Sequence, residues 1–579
     1  MKIFSPTPQA KLTLIATSDL HMNLNSYDYY TDSEASFGFA NIASTIRYIR
    51  STSTNTLVFD NGDLIQGPPL TDLWLDDETH PHPAIACLNA MDYDGATLGN
   101  HEFNFGIDPL ANVYGAANFP VVLSNITRID GGNWPCHDAM ILDRIITTPF
   151  GRKFPIKIGV VGLTPTMILT WDQFHTAGKI AATDPIIAAE NTVQSLKSKG
   201  AEVIVALCHG GIETQEDATQ EHFASAVASI SGVDAVFAGH THLPFAGKIG
   251  RTPIALPAAY GKNIGRIVLN LRRADDGWVT EGGSADLVTP SKDADTQIKE
   301  IVANRHAKTL DFTQKQLGTF TAPMHSYFAR VQPDLAQFIT AQAQLDAARD
   351  ALDASEYADL PRLSATAPFR CGGRGGPDAY IAIDAGPATN RHAAQLYPFP
   401  NQTVALMVSG TILRKWLEQS AAHFKHVTPN ALDTLLFDDT SVSYNLDTLF
   451  GVTYDFDLSR PLGERVCNLN HEGKSVQDTD QFIVLTNSYR AHGGGGFDML
   501  SETKEIWTSG GPLQAAIAAR LAEPLPRRCP KVWGYVPLGA TVVFDTSPNA
   551  AAHLISDSPL NIQPVAPSLD GFYRYRMQL

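Results

Sequence analysis

Five short segments in the first half of the chain place acid/base or metal-ligating side chains directly after apolar runs. They are Ala16-Thr17-Ser18-Asp19-Leu20-His21, Phe59-Asp60-Asn61-Gly62-Asp63-Leu64-Ile65-Gln66, Leu98-Gly99-Asn100-His101-Glu102-Phe103-Asn104, Leu207-Cys208-His209-Gly210-Gly211 and Ala238-Gly239-His240-Thr241-His242. Two carboxylates, an Asn amide and several imidazoles suit borderline-hard divalent ions such as Zn, Mn, Co or Fe. In extended backbone, Asp-x-His and His-x-His turn both side chains of a pair to one side. A carboxylate such as Asp63 can bridge two ions, and two ions ~3.5–4 Å apart form the clamp used in phosphoryl transfer. Taken singly, each segment has a plain explanation. Gly62-Asp63 suits a turn, and His209 after an apolar run suits a hydrogen-bonded core position. The set of five, in order, is what points to a site.

The apolar runs are of strand length: Leu12–Thr17, Thr56–Phe59, Lys157–Leu163, Val203–Leu207 and Val233–Ala238. Helical patterns, Gly38–Arg50 and Pro185–Lys199, lie among them, and Ile254–Pro257 and Arg266–Leu271 follow. Strands alternating with helices imply a sheet covered on its faces. Ligand sites in such sheets gather at the carboxyl ends of strands, where these five segments fall. The charged stretch Asp293–Gln316 reads as a connector. Beyond it a second core is expected, with helices near Pro333–Leu352 and Gly410–Ala422, strands near Gly451–Leu458 and Gln481–Thr486, and a glycine loop Cys371–Pro377. Trp416 keeps helical spacing with Leu413 and Leu417 and reads as core.

The chain has 579 residues and a net charge of −17, from 43 Lys plus Arg against 60 Asp plus Glu. That balance excludes a nucleic-acid polymer as a partner bound through phosphate counterion release. No run approaches the ~18 apolar residues of a membrane span, so no membrane association is expected. The segment Met1–Pro8 lacks an apolar core before Lys11, so the chain as given carries no secretory signal and reads as cytoplasmic. Six scattered cysteines without Cys-x-x-Cys indicate neither a disulfide framework nor a zinc knuckle. A monomer is expected.

The five segments resemble, in order, the D-x-H, G-D, G-N-H-[ED], H and G-H-x-H blocks of the calcineurin-like metallophosphoesterases. Glu102-Phe103-Asn104 and a second domain of suitable size narrow the resemblance to the 5′-nucleotidase family. The resemblance implies an α/β protein: a four-layer αββα metallophosphoesterase domain over 1–292, a connector and hinge over 293–320, and an α+β nucleotide-binding domain over 321–579. It implies two divalent metal ions. Asp19, His21, Asp63 and His242 would hold one, and Asp63, Asn100, His209 and His240 the other. His101 is then the catalytic histidine, oriented by Asn104. The nucleotidases proper carry Asp at that position, and an Asn cannot stabilise a protonated His101 by charge. Asn there resembles the 2′,3′-cyclic-nucleotide 2′-phosphodiesterase/3′-nucleotidase branch.

The second half resembles the same branch. Gly372-Gly373-Arg374-Gly375-Gly376-Pro377 is similar to its glycine-arginine loop, and Tyr397-Pro398-Phe399-Pro400-Asn401 to the segment before the Trp416 helix. Asn487-Ser488-Tyr489-Arg490-Ala491-His492-Gly493-Gly494 resembles its N-x-Y-R-A-x-G-G signature, and Gly495 extends it. The family pattern implies that Tyr444 and Tyr489 sandwich a base, a contact tolerant of base identity, with Arg374 and residues 490–495 contacting substrate. Small nucleotides are the implied substrates, bound in a cleft between the domains, and the branch is typically periplasmic. The implied activity is hydrolysis of 2′,3′-cyclic nucleotides to 3′-nucleotides and of these to nucleosides. A 5′-nucleotidase or UDP-sugar hydrolase, and an inactive nucleotide-binding protein, are the alternatives. Two divalent ions bring about +4 and Asp19 and Asp63 −2, so the implied site is locally cationic despite the acidic chain.

Overall fold

The computed structural model describes residues 7–67, 81–212, 221–438, 442–554 and 560–579; the extreme N-terminus, 1–6, whose composition was read above, lies outside them. Two compact units divide the chain, 1–311 and 312–579.

The first unit is built on two sheets. Strand Gln9–Thr17 pairs parallel with Thr56–Asp60 inside a seven-stranded sheet. Lys153–Leu163, Val203–Cys208 and Ala235–Ala238 pair parallel inside a six-stranded one. The period-2 alternation of each strand decides what lies on either face. Leu12, Leu14 and Ala16 share a core with Ile158, Val160, Val205 and Phe237, which joins the two sheets. Ile15, between them in sequence, turns the other way onto Phe39, Ile42 and Ile46 of the helix Phe39–Thr52. Val161 and Leu163 meet Val193 and Leu196 of the helix Pro185–Ser198 on the far face of the second sheet. Three stacked cores make four layers, αββα. With both strand faces covered, the strands become continuously apolar, as in Val203–Cys208, all six residues of which are buried.

Register then fixes the site. Thr17 lies opposite Asp60, Leu163 opposite Cys208, and Cys208 opposite Ala238. The chain therefore leaves each sheet at a common edge at Ser18, Asn61, His209 and Gly239. The third segment arrives there after the short strand Gly95–Ala96, which pairs parallel beside Asp60.

Most of the stretch expected as a connector is integral to the first unit. In the helix Thr296–Gln314, Ile298 and Val302 are buried with Ile15 and Phe39. Tyr29 OH lies 2.7 Å from His306 Nδ1, and Arg47 Nε 2.6 Å from Asp295. The boundary falls near the C-terminal end of this helix.

The second unit is α+β. Its five-stranded sheet has the order Thr448–Phe450, Arg362–Thr366, Gln481–Asn487, Gln402–Ser409, Lys504–Pro512. Helix Leu335–Asp353 begins with a capping box between Asp334 and Gln337. Helix Gly410–Ala421 buries Trp416 fully, as its spacing predicts, and Trp416 Nε1 donates to Asp447 Oδ2 at 2.7 Å. Among the described residues no helix is long and apolar enough to cross a membrane.

Candidate metal centre and ring pair

Five of the seven residues expected as metal ligands adopt left-handed backbone: Asp19 (φ 53°), His21 (46°), Asp63 (54°), His240 (70°) and His242 (60°). Asp, Asn and His tolerate this region better than other non-glycine residues, yet each such position is disfavoured. The strand-end loops turn their backbones sharply so that the side chains converge. Two groups result: Asp19, His21, Asp63 and His242, and Asp63, His209 and His240, with the ligating atoms of each within 4.8 Å of one another. Asp63 belongs to both. Asn100 joins the second through its Oδ1, 2.9 Å from His240 Nδ1.

These side chains fit a divalent cation in three ways. First, inner hydrogen bonds set the imidazole tautomers. His21 Nδ1 faces the Gln66 carbonyl at 2.9 Å and His209 Nδ1 the Asn61 carbonyl at 2.7 Å, so each Nδ1 carries the hydrogen and each Nε2 lone pair faces inward. Second, Asp63 Oδ2 and His209 Nε2 lie 3.1 Å apart, buried, and neither has a hydrogen-bond partner among the described residues. Third, the field is anionic. Burial alone would lower the His209 pKa, but Asp63 and Asp19 overcome it and raise it to about 10. Burial likewise opposes ionisation of Asp63, and His209 and His101 hold it well below the usual carboxylate range. A field that favours a proton on His209 favours a cation in its place. His21, farther from the carboxylates' pull, is lowered to about 4 by burial and by His242.

Glycine is required at 99. A Cβ there would sit 2.2 Å from Asp63 Oδ1 and 2.7 Å from His209 Cε1. His101 opens the turn His101–Phe105; its backbone N–H donates to Asp63 Oδ1 (2.9 Å), and its Nδ1 lies 2.7 Å from Asn104 Oδ1.

Several supporting residues carry no role in the motif reading. Glu102, fully buried, accepts from the backbone N–H groups of Asp63 (2.9 Å), Leu64 (2.7 Å), Ile65 (3.2 Å) and Gly99 (2.6 Å), tying two ligand loops together. Its position inside the third segment was the available signal. Asp60 accepts from Thr17 Oγ1 (2.7 Å) and Gly62 N (3.1 Å), and burial pushes its carboxyl up to about 8. Trp171 stacks on His240, ring centroids 5.7 Å apart and 18° from parallel. Glu221 Oε2 lies 3.4 Å from His240 Nε2. No local pattern marks Trp171 or Glu221.

The second unit brings together part of the set expected to contact substrate. Tyr444 and Tyr489 do come together, but edge to face, with centroids 6.4 Å apart and planes at 85°. A base stacked on both rings needs them parallel, so they form no sandwich in this conformation. Arg490 is buried and turned inward. Its Nε pairs with Asp447 at 2.8 Å, its two other nitrogens donate to the carbonyls of Gly494 and Tyr444, and its guanidinium lies 3.7 Å over the Phe497 ring. It ties the Tyr444 and Gly494 segments together. Ala491 is also buried. Gly493 and Gly494 are buried and Gly495 partly so. A Cβ at 494 would meet the Tyr489 ring at 2.6 Å and one at 495 Asn445 Oδ1 at 2.1 Å, so both glycines serve packing. His492, half-buried, lies 3.8 Å from Glu505. Arg374 stands exposed on the separate turn Gly373–Gly375.

Comparison with known proteins agrees with this architecture. The family model for calcineurin-like phosphoesterases matches residues 12–244, and that for the 5′-nucleotidase C-terminal domain matches 316–502. The chain is 32% identical to the 2′,3′-cyclic-nucleotide 2′-phosphodiesterase/3′-nucleotidase of Haemophilus influenzae, over 98% of this chain and 95% of that one. It is 35% identical to the trifunctional nucleotide phosphoesterase protein YfkN of Bacillus subtilis, over 87% of this chain but only 37% of that longer protein. The solved structure of a 5′-nucleotidase precursor from Thermus thermophilus shares the fold, with a TM-score of 0.65 at 20% identity over 91% of this chain and 99% of that one.

Proposed function

Because the chain belongs to the 5′-nucleotidase family of calcineurin-like phosphoesterases, we propose that it opens 2′,3′-cyclic nucleotides at the 2′ side and then removes the 3′-phosphate. The observation that carries this reading is the convergence of Asp19, His21, Asp63, Asn100, His209, His240 and His242 on one strand-end edge, with Asp63 common to both groups. Asp19, His21, Asp63 and His242 would hold one divalent ion, and Asp63, Asn100, His209 and His240 the second. When bound, such ions supply Lewis acidity, lowering the pKa of water and drawing charge from the phosphoryl oxygens.

The remaining work falls to the chain's own groups. His101 is anchored to the cluster by its backbone N–H on Asp63. With Nδ1–H directed to Asn104, its Nε2 is the nitrogen that meets the substrate. As the water oxygen bonds to phosphorus it releases a proton to solvent, the bond to O2′ breaks, and His101, carrying a hydrogen on Nε2 as well as the one Nδ1 shares with Asn104, gives the Nε2 proton to the leaving oxygen. The 3′-phosphate step repeats this with O3′ leaving. Tyr444 and Tyr489 hold the base, one ring turning from the edge-to-face arrangement. Asn104, in place of Asp, and the Tyr489-Arg490-Ala491 segment favour the cyclic-nucleotide branch, and the name of the Haemophilus relative supports it. The test is phosphate release by Mn²⁺- or Co²⁺-loaded protein from 2′,3′-cAMP (with a phosphomonoesterase-free control), 3′-AMP and 5′-AMP. The first two should be the better substrates; 5′-AMP much the best would overturn the branch.

A further inference from the structure

The segment Ile168–Thr176, which the motifs leave without a role, backs the centre from a second side. It consists of two short helical turns joined at Asp172. Trp171 covers the ring of His240. Asp172 is buried, and its Oδ1 accepts from Asn104 Nδ2 at 2.9 Å. Its backbone carbonyl accepts from His175 N (2.8 Å), Thr176 N (3.0 Å) and Thr176 Oγ1 (2.9 Å), which pins it in place. A line therefore runs His101 Nδ1, Asn104 Oδ1, Asn104 Nδ2, Asp172 Oδ1, with links of 2.7 and 2.9 Å.

An Asn amide has nearly isosteric ends, one accepting and one donating. Beside an imidazole alone, it could turn either end to the ring and select either tautomer. An ionised carboxylate carries no hydrogen and can only accept. It draws the NH₂ end to itself and so leaves the carbonyl end for His101. Burial pushes the Asp172 carboxyl up, and its bond from Asn104 pulls it back, to about 6; at neutral pH the acceptor form prevails. We propose that Asp172 is a positioning residue that locks the Asn104 amide, and through it holds the hydrogen of His101 on Nδ1 so that Nε2 faces the reacting phosphoester. The carboxylate that the nucleotidases place directly against the histidine is here kept at one remove, behind an amide. This inference rests on the role given above to His101, not on the identity of the substrate.

The full-length, metal-loaded protein serves for the test, on whichever phosphomonoester the wild type cleaves best, so that a wrong substrate class leaves it intact. Asp172→Leu, which keeps the branched shape and removes the acceptor, should lower kcat by about 10- to 100-fold with KM within a few-fold. The loss should shrink on p-nitrophenyl phosphate, whose leaving group needs no proton. Asn104→Asp alone should also lower kcat, because two carboxylates then face each other. Combining Asn104→Asp with Asp172→Asn reverses the polarity of the link: the new carboxylate accepts from His101, and the new amide donates to it. That swap should recover kcat to within a few-fold of wild type, which lost packing or lost metal would not. Melting temperature and metal content accompany each variant. Full kcat in Asp172→Leu, or a swap no better than Asn104→Asp alone, would overturn the proposal. Full activity in His101→Asn would overturn it together with the reading of His101.

Discussion

At the strand ends of the first unit, buried polar atoms face one another without satisfying one another; in the second unit the Nε of Arg490 is likewise outside hydrogen-bond geometry, but its two other guanidinium nitrogens find carbonyl acceptors. Asp63 Oδ2 and His209 Nε2 are within 3.1 Å yet lack hydrogen-bond partners among the described residues, and five neighbouring backbones are held at positive φ. Arg490, just as buried, meets Asp447, two carbonyls and the face of Phe497. Both clusters join distant segments, and both looked like ligand contacts as motifs. A fold that strains its backbone to gather unmatched donors and acceptors is prepared for something from outside. A fold that matches a charge internally uses it to hold its own loops.

Removing a member of the first cluster should therefore abolish chemistry, and the largest effect is expected from the residue common to both groups. Asp63→Ala should lower kcat/KM by more than about 10³-fold, measured by phosphate release, with a smaller change in melting temperature. Activity near wild type would break the comparison. Next, Glu102→Gln puts an amide NH₂ against backbone donors that now meet a carboxylate. It should destabilise the first unit by about 1–3 kcal/mol and lower kcat, seen by calorimetry and kinetics together; a loss of activity alone would place Glu102 in the chemistry rather than in the support. In the second unit the order is reversed. Arg490→Met leaves Asp447 buried without its ion pair and should cost about 3–5 kcal/mol of that unit's stability, with KM rising more than kcat falls. A change in kcat alone would return Arg490 to the substrate. The smallest effect is expected at the rings: Tyr489→Ala should raise KM about 10-fold, the worth of roughly one stacked base, and leave kcat within a few-fold.

The candidate ligand positions were legible in the sequence because each motif is a loop of a few residues after a strand; their direction was not, since Asp19, His21, His240 and His242 take left-handed backbone where the paired spacing suggested an extended one. Alternation of strands and helices indicates a covered sheet. It does not indicate that two sheets pack face to face, since Leu14 and Ile15 look alike in sequence and only the structure shows one facing a sheet and the other a helix. Asp172 was illegible because its partner Asn104 is far away in the chain and nothing about Thr170-Trp171-Asp172-Gln173 marks it locally. The burial of Arg490 was illegible for the same reason: the tyrosine-arginine-alanine signature is local, while the Asp447 paired with the guanidinium lies on another segment. Short-range spacing carries position along the strand-end edge. Long-range pairing decides whether a charge is turned outward or spoken for.

That the converged side chains of the first unit would hold two divalent ions, with Asp63 common to both groups, is tested most directly by counting metal. Protein loaded with Mn²⁺ or Co²⁺, freed of excess ion and analysed by mass spectrometry, should hold two ions per chain. Fewer than one ion per chain in the wild type would contradict the account.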